Sequence, residues 1–365
     1  MIRISNDLKK QFELYKTEYE KKVVEVLNSG WYILGKEVQS FEENFANYIG
    51  TKHSVGVASG LDALVLAFRA LDVHQGDEVI VQANTYIASV MGITMNGATP
   101  IFVEPNRFYN IDVDKIEEKI TKKTKAILVV HLYGQGSSMR KVKELCEKYN
   151  LYLVEDCAQS HGATYNHQMT GSFGDIGCWS FYPSKNLGAF GDAGAITTNN
   201  KEIADKIKVL RNYGSEKRYH NKVVGYNSRL DELQAGLLNV KLKHINELLD
   251  DRERIANRYL NEINNPLINL PMIDENCSHV WHLFVIQSEY RDQLQDYLKD
   301  NEIDSLIHYP IPPHLSEAYE YLGFKKGDFP IAEHYANSVL SMPLYNGMTE
   351  EEISYVIEVI NGWSV

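Results

Sequence analysis

Between Ser54 and Thr198 the chain repeats one pattern, a short β-rich run followed by a stretch with helical spacing. The runs are Ser54–Val57, Glu78–Val81, Pro100–Val103, Ala126–Val130, Leu151–Val154, Ile176–Ser180 and Ala195–Thr198. Several are apolar at successive positions, so both faces of each strand need cover, and the intervening helices supply it. That requirement predicts an α/β fold built on a large mixed, mostly parallel sheet. Ligands of such sheets gather beyond the carboxyl ends of the strands.

On the amino-terminal side Leu8, Phe12, Tyr15, Tyr19 and Val23 recur at spacings of three and four, predicting one amphipathic helix that ends near Ser29-Gly30. Beyond the sheet, Ser228-Arg-Leu-Asp231 matches a capping box, and Leu230, Leu233, Leu237, Ile245 and Leu248 continue a long helical connector. A boundary near residue 250 divides a large domain, 1–250, from a smaller α+β domain, 251–365. The latter holds a strand at Val280–Ile286, a helix at Arg291–Lys299, a proline-rich loop at His308–His314 and a closing helix at Thr349–Asn361. With 365 residues, 44% of them hydrophobic, each domain has material for its own core. A formal net charge of −12 argues against nucleic acid as a partner. Four cysteines without a C-x-x-C pair, and a start Met1-Ile-Arg-Ile-Ser-Asn6 without an apolar leader, read as a reduced, cytoplasmic protein. No apolar run approaches the roughly 20 residues that span a bilayer, so no membrane is expected as a partner.

Two residues at the ends of these runs carry chemistry. Asp156 closes Leu151-Tyr-Leu-Val-Glu-Asp, and Lys185 follows in Ser180-Phe-Tyr-Pro-Ser-Lys-Asn-Leu-Gly188. A lysine amine condenses with an aldehyde, and a carboxylate keeps a pyridine nitrogen protonated, so the pair suits pyridoxal phosphate. Taken singly, Lys185 reads equally as a surface lysine in a glycine-rich loop, and Asp156 as a helix cap after a strand. Gln159 is placed to meet the cofactor's phenolic oxygen or to orient Asp156. For the phosphate, Val57-Ala-Ser59-Gly60 offers a strand, a Ser-Gly turn and a helix start, and Ser180 a second hydroxyl; Ser59 serves as readily as a plain cap. Tyr86 follows a strand and reads either as a ring stacked on the pyridine or as a core tyrosine. Glu155, Asp156, Cys157 and His161 imitate a metal cluster, yet alternate strand residues point to opposite faces, so no metal is expected.

Together these segments resemble the DegT/DnrJ/EryC1/StrS family of nucleotide-sugar aminotransferases, pyridoxal phosphate enzymes of the type I, aspartate-aminotransferase-like fold. The matching stretches run nearly end to end: Gly30-Trp-Tyr-Ile-Leu-Gly35, Gly56-Val-Ala-Ser-Gly60, Asn84-Thr-Tyr86, His131-Leu-Tyr-Gly134, Glu155–His161, Ser180–Gly188, Gly191-Asp-Ala-Gly194, Gly225–Glu232 and His308-Tyr-Pro310. The resemblance implies Lys185 as the cofactor-linked lysine and proton shuttle, Asp156 on the pyridine nitrogen, Gln159 beside the ring and Tyr86 stacked on it. It implies Ser59, Gly60 and Ser180 on the phosphate, with Asn227 reaching it from the other subunit of a homodimer. The segment Pro183–Gly194 looks like the branch that aminates 3-keto sugars. That implies a dTDP-linked 3-keto-6-deoxyhexose and L-glutamate as substrates, the pyridoxamine form as intermediate, and a dTDP-3-amino-3,6-dideoxyhexose as product. Tyr182, His308, Tyr309 and Tyr213 are expected near the sugar and Trp31 to Gly35 near the nucleotide, although His308-Tyr-Pro reads equally as a rigid turn. A UDP-linked 3-keto sugar, a sugar dehydratase of the same fold and a non-catalytic regulatory protein are the alternatives. Dehydratases of this kind lack the lysine that stands here as Lys185.

Overall fold

The computed structural model describes residues 5–365; Met1–Ile4, part of the start read above as lacking a leader, lie outside them. All seven expected runs are strands of one sheet: β1 (His53–Val57), β2 (Glu78–Gln82), β3 (Thr99–Val103), β4 (Thr124–Val130), β5 (Tyr152–Asp156), β6 (Ile176–Ser180) and β7 (Gly194–Thr198). Their order is β1-β7-β6-β5-β4-β2-β3. Only β7 runs against its neighbours, pairing antiparallel with β1 and β6, while the other pairs are parallel. The double-sided apolar pattern is used as expected. Val79, Val81 and Leu128 join one core, and Ile80, Ile127 and Val129 join another on the opposite face. In the first core α4 (Gly60–Ala70), α5 (Ile87–Thr94) and α7 (Lys201–Leu210) cover the sheet, and in the second α6 (Met139–Tyr149) does.

The amino-terminal helix is two helices, α1 (Leu8–Leu14) and α2 (Lys16–Ser29), rather than one. The break falls at Tyr15, whose ring stacks 3.9 Å from His244 and whose hydroxyl donates to Glu247 at 3.0 Å, drawing the chain out of helical register. Helix α2 stops at Gly30, which takes the left-handed conformation (φ 66°) that a residue without Cβ adopts freely.

The capping box at Ser228 is not formed. Ser228 instead donates to Asp62 at 2.6 Å and accepts from the Ala58 N–H, and helix α8 (Glu232–Lys243) starts after Asp231 with no side-chain cap. The first residue of α8 serves a different helix. Buried Glu232 accepts the backbone N–H groups of Gly35, Glu37 and Val38 at 2.7–2.9 Å and so caps α3 (Lys36–Ile49). A Cβ on Gly35 would sit 2.8 Å from that carboxylate, which explains glycine there.

Helix α9 (Ile245–Glu262) runs unbroken across residue 250 and begins a separate core that includes Ile255, Tyr259, Phe284, Leu294, Leu340 and Ile360. That core packs an antiparallel pair, β8 (Phe284–Gln287) and β9 (Val339–Met342), with α10 (Arg291–Asp300) and α12 (Glu350–Gly362), while α11 (Pro330–Ser338) turns Ala332 and Tyr335 to the large sheet's core. The expected strand at Val280–Ile286 begins only at Phe284. Before it Trp281 adopts φ 50°, and the Val280 and Leu283 N–H groups bond to Gly134 and Tyr133 instead of to a strand. The closing helix has a reciprocal capping box between Thr349 and Glu352. Among the described residues no helix is long and apolar enough to cross a membrane.

Replacing Glu232 by alanine leaves three backbone donors of the α3 start without acceptors. We expect a loss of about 3 kcal/mol in unfolding free energy, read from chemical denaturation.

Candidate active site

The register of the central strands sets the site. Val130 of β4 aligns with Asp156 of β5, and Asp156 with Cys178 of β6, which puts the Asp156 carboxylate at the carboxyl edge in mid-sheet. Its neighbour Glu155 points to the other face. There one carboxylate oxygen accepts from His131 Nε2 at 3.0 Å and from the Gly171 N–H, and the other from the Phe173 and Gly174 N–H groups, each at 2.8 Å. His131, Glu155 and Cys157 lie close enough to offer a metal one atom each. The carboxylate, however, is fully engaged in holding the 171–174 turn, and His131 Nδ1 already accepts from the Ser137 N–H. His161 lies apart from this trio, its ring packed between Trp179 and Phe181.

Asp156 is buried, and burial pushes its carboxyl pKa up. Two hydrogen bonds oppose that shift, from Ser89 Oγ at 2.7 Å and the Ala158 N–H at 3.1 Å, as does the charge of Lys185. Ser89 Oγ is in turn 2.7 Å from Thr85 Oγ1. An ionised Asp156 can only accept, so Ser89 donates its O–H to it and in turn accepts the Thr85 hydroxyl. Gln159 does not orient Asp156: its oxygen accepts from the Tyr133 N–H at 2.6 Å and its amide donates to the Tyr309 hydroxyl at 3.0 Å. Ser89 was missed because a serine on the first turn of a helix has many ordinary uses.

Lys185 lies in the Phe181–Ala193 segment between β6 and β7. The segment closes on itself through Phe181 N–H to Ala193 O and Ala189 N–H to Phe181 O, both 2.8 Å. Asn6 grips the Ser184 carbonyl at 3.2 Å and Asn186 the Val280 carbonyl at 2.8 Å. The protein desolvates the Lys185 amine and holds its pKa down to about 8, against the upward pull of Asp156.

Asp156 and Lys185 share one cavity of about 600 Å³ at the carboxyl edge of the sheet. Ser59, Gly60, Tyr86, Gln159 and Ser180 line it too, as do Tyr182, His308 and Tyr309. Ser59 caps α4 by accepting the Asp62 N–H at 3.1 Å, and a Cβ on Gly60 would meet the Ser180 Cβ at 2.5 Å. The two hydroxyl residues and the start of α4 are thus drawn as close as backbone permits. Tyr86 is half exposed at the cavity rim, its ring 5.0 Å from that of Tyr309, which rules out the core-tyrosine reading. His308 is anchored by Ser341 at 2.8 Å and by the Tyr133 hydroxyl, which donates to its carbonyl; burial lowers its pKa to about 4. His282, not anticipated from the sequence, also lines the cavity, buried and held neutral with Nδ1 unpartnered.

Four expected site residues stay outside this cavity. Trp31 is exposed and bonds to the Ile33 carbonyl, and Gly35 lies on the Glu232 cap. Tyr213 is half exposed beneath the Arg229 guanidinium, and Asn227 is exposed and bridged to Asn212. All four border one strip, since Ile33 bridges Asp231 just as Asn212 bridges Asn227. Within a single chain they do not meet Lys185.

A family model described as the DegT/DnrJ/EryC1/StrS aminotransferase family matches residues 14–361. The chain belongs to that family. It is 52% identical over 356 residues to a dTDP-3-amino-3,6-dideoxy-alpha-D-galactopyranose transaminase of Aneurinibacillus thermoaerophilus, covering 97% of this chain and 98% of the relative. The crystal structure of DesV from S. venezuelae superposes with a TM-score of 0.97 at 42% identity, covering 99% and 98% of the two chains. NtdA of Bacillus subtilis, solved with bound pyridoxamine phosphate, follows at a TM-score of 0.90 and 31% identity, covering 98% and 85%. The protein is therefore a pyridoxal phosphate-dependent aminotransferase with the type I fold.

The residues in the cavity fit that cofactor: an amine kept partly neutral for the aldehyde, a buried carboxylate for the ring nitrogen, and two hydroxyls beside a helix start for the phosphate. Because condensation needs the neutral amine and burial brings the Lys185 pKa down to about 8, capture of the cofactor by stripped protein depends on pH. We expect the rate of appearance of the visible absorption band to rise about tenfold per pH unit below that value and to level off above it. Stopped-flow absorbance checks the profile.

Proposed function

We propose that this aminotransferase moves the amino group of L-glutamate to C3 of a dTDP-linked 3-keto-6-deoxyhexose, giving a dTDP-3-amino-3,6-dideoxyhexose and 2-oxoglutarate. The observation that carries the reading is the end-to-end 52% identity with a transaminase named for such a sugar, in a chain that keeps both Lys185 and Asp156 in its cavity. When bound, pyridoxal phosphate carries the amino group between the two substrates and draws electron density from the carbon that loses its proton. Ser59, Ser180 and the first N–H groups of α4 hold its phosphate, and Asp156 keeps its ring nitrogen protonated. Tyr86 and Gln159 fix the ring, the latter already locked by Tyr133 and Tyr309. The Lys185 amine takes the proton from the α-carbon of glutamate and later delivers one to C3 of the sugar. Tyr182, His308 and Tyr309 stand where the sugar enters.

We read the functional unit as a homodimer, acting in the cytoplasm on a substrate made there. Three features support the dimer: the strip holding Trp31, Tyr213 and Asn227 lies outside its own cavity, its large apolar side chains are exposed, and it includes Asn227, implied above to serve the other subunit. All four cysteines are free, as a reducing compartment allows.

Incubation of the purified protein with pyridoxal phosphate, L-glutamate and the dTDP-3-keto-6-deoxyhexose tests the reaction. Mass spectrometry should show the amino sugar, and Lys185→Ala should lower its formation by at least about a thousandfold; no product from the wild-type protein would sink the assignment. Dimers mixed from a Lys185→Ala chain and an Asn227→Ala chain test the shared site. They should keep about a quarter of the wild-type activity if one chain completes the other's cavity: a randomised mixture then holds mixed dimers in which one site carries both changes and the other carries neither. Complementation failing altogether, with each single-variant dimer also impaired, would place Asn227 in its own chain's site.

A further inference from the structure

A second cavity, of about 470 Å³, opens between α1, α2 and the loop that follows Lys185. Phe12, Tyr19, Ala189 and Phe190 make its wall apolar. Exposed Lys9 and buried Gln11 line it too, and so does one buried cation, Lys241 of α8, which is only 5% exposed. An ammonium group has three donors. Two of them meet neutral oxygens at long range, Gln11 Oε1 at 3.4 Å and Gly188 O at 3.3 Å. No carboxylate pairs with Lys241 among the described residues, and Arg252 and the Lys9 that lines the same cavity carry the same sign. Gln11 turns its oxygen to Lys241, while its amide nitrogen donates to Asn6 Oδ1 at 2.8 Å.

A lone buried ammonium is unfavourable unless it sheds its proton or gains an anion. Burial, with Arg252 adding to it, holds the Lys241 pKa down to about 7, so the amine stands between those two outcomes near neutrality. The space beside it is of small-ligand size. The same cavity touches Pro183, Gly188 and Ala189, on either side of the catalytic lysine in the chain.

We propose that this cavity binds a small monocarboxylate with an apolar body, its carboxylate accepting the free donor of Lys241 and its body lying against Phe12, Tyr19 and Phe190. The occupant bridges α8 and the Lys185 loop, so it stabilises that loop from the side away from the substrate. The site is separate from the catalytic cavity, and its test does not depend on which sugar the enzyme uses.

Holoenzyme titrated with benzoate, and with benzamide as a neutral isostere, tests the proposal through the unfolding midpoint and ligand-observed NMR. We expect saturable benzoate binding at least tenfold tighter than that of benzamide. Binding should be lost in Lys241→Met. It should also be lost in Leu8→Trp, which fills the cavity from its exposed rim without touching the buried amine. Retention of the visible cofactor band shows that each variant is folded. Absence of saturable benzoate binding to the wild-type holoenzyme, equal affinity for benzamide, or undiminished binding in both folded variants overturns the proposal.

Discussion

The site depends on a carboxylate that must stay charged in mid-sheet. Burial pushes the Asp156 carboxyl toward its neutral form, and a neutral acid there would be a poor partner for the ring nitrogen in the proposed reaction. The chain opposes this with a short polar relay. Ser89 and the Ala158 N–H both donate to Asp156, and Thr85 stands behind Ser89. Both hydroxyl residues belong to the turn and helix after β2, which also present Tyr86 to the cavity. One local stretch, Thr85–Ser89, therefore supplies both the hydroxyls behind Asp156 and the Tyr86 ring at the cavity rim.

The same strand serves stability and chemistry through its two-residue period. Asp156 faces the cavity, while Glu155 turns to the opposite face and ties down the 171–174 turn with His131. Buried carboxylates are costly unless they are well hydrogen-bonded; Glu155 accepts three backbone N–H groups and His131, whereas Asp156 accepts only Ser89 and the Ala158 N–H. Glu232 repeats the device at the start of α3. Glu155 and Glu232 are thus acceptors for backbone donors that would otherwise be orphaned.

What could be read from the sequence follows from where the forces are local. The seven sheet strands were legible because a doubly covered strand must be apolar on both faces, and Asp156 and Lys185 because they close or follow such runs. The break at Tyr15 and the late start of β8 were not, since both arise from contacts with distant segments, His244 and the Tyr133–Gly134 carbonyls. Strand β9 escaped notice because it follows α11 with no turn residue between Ser338 and Val339. Trp31, Gly35, Tyr213 and Asn227 were expected at the site, yet one chain holds them on a separate strip. A pattern along a single chain carries no record of which cavity a surface residue completes. His282 lacked any motif of its own and enters the cavity only through the crossed hydrogen bonds of the 280–283 segment.

The reversal of β7 has a consequence for how the catalytic lysine is delivered. A parallel connection would carry the chain across the face of the sheet and return it at the far edge. Because β7 runs the other way, the chain leaves β6 and enters β7 at the same edge. The Phe181–Ala193 segment is thus a tethered arch with both feet on the rim of the cavity. The Lys185 amine explores only the volume that such an arch allows, so much of the ordering that the proposed proton transfers would require is completed when the sheet itself folds.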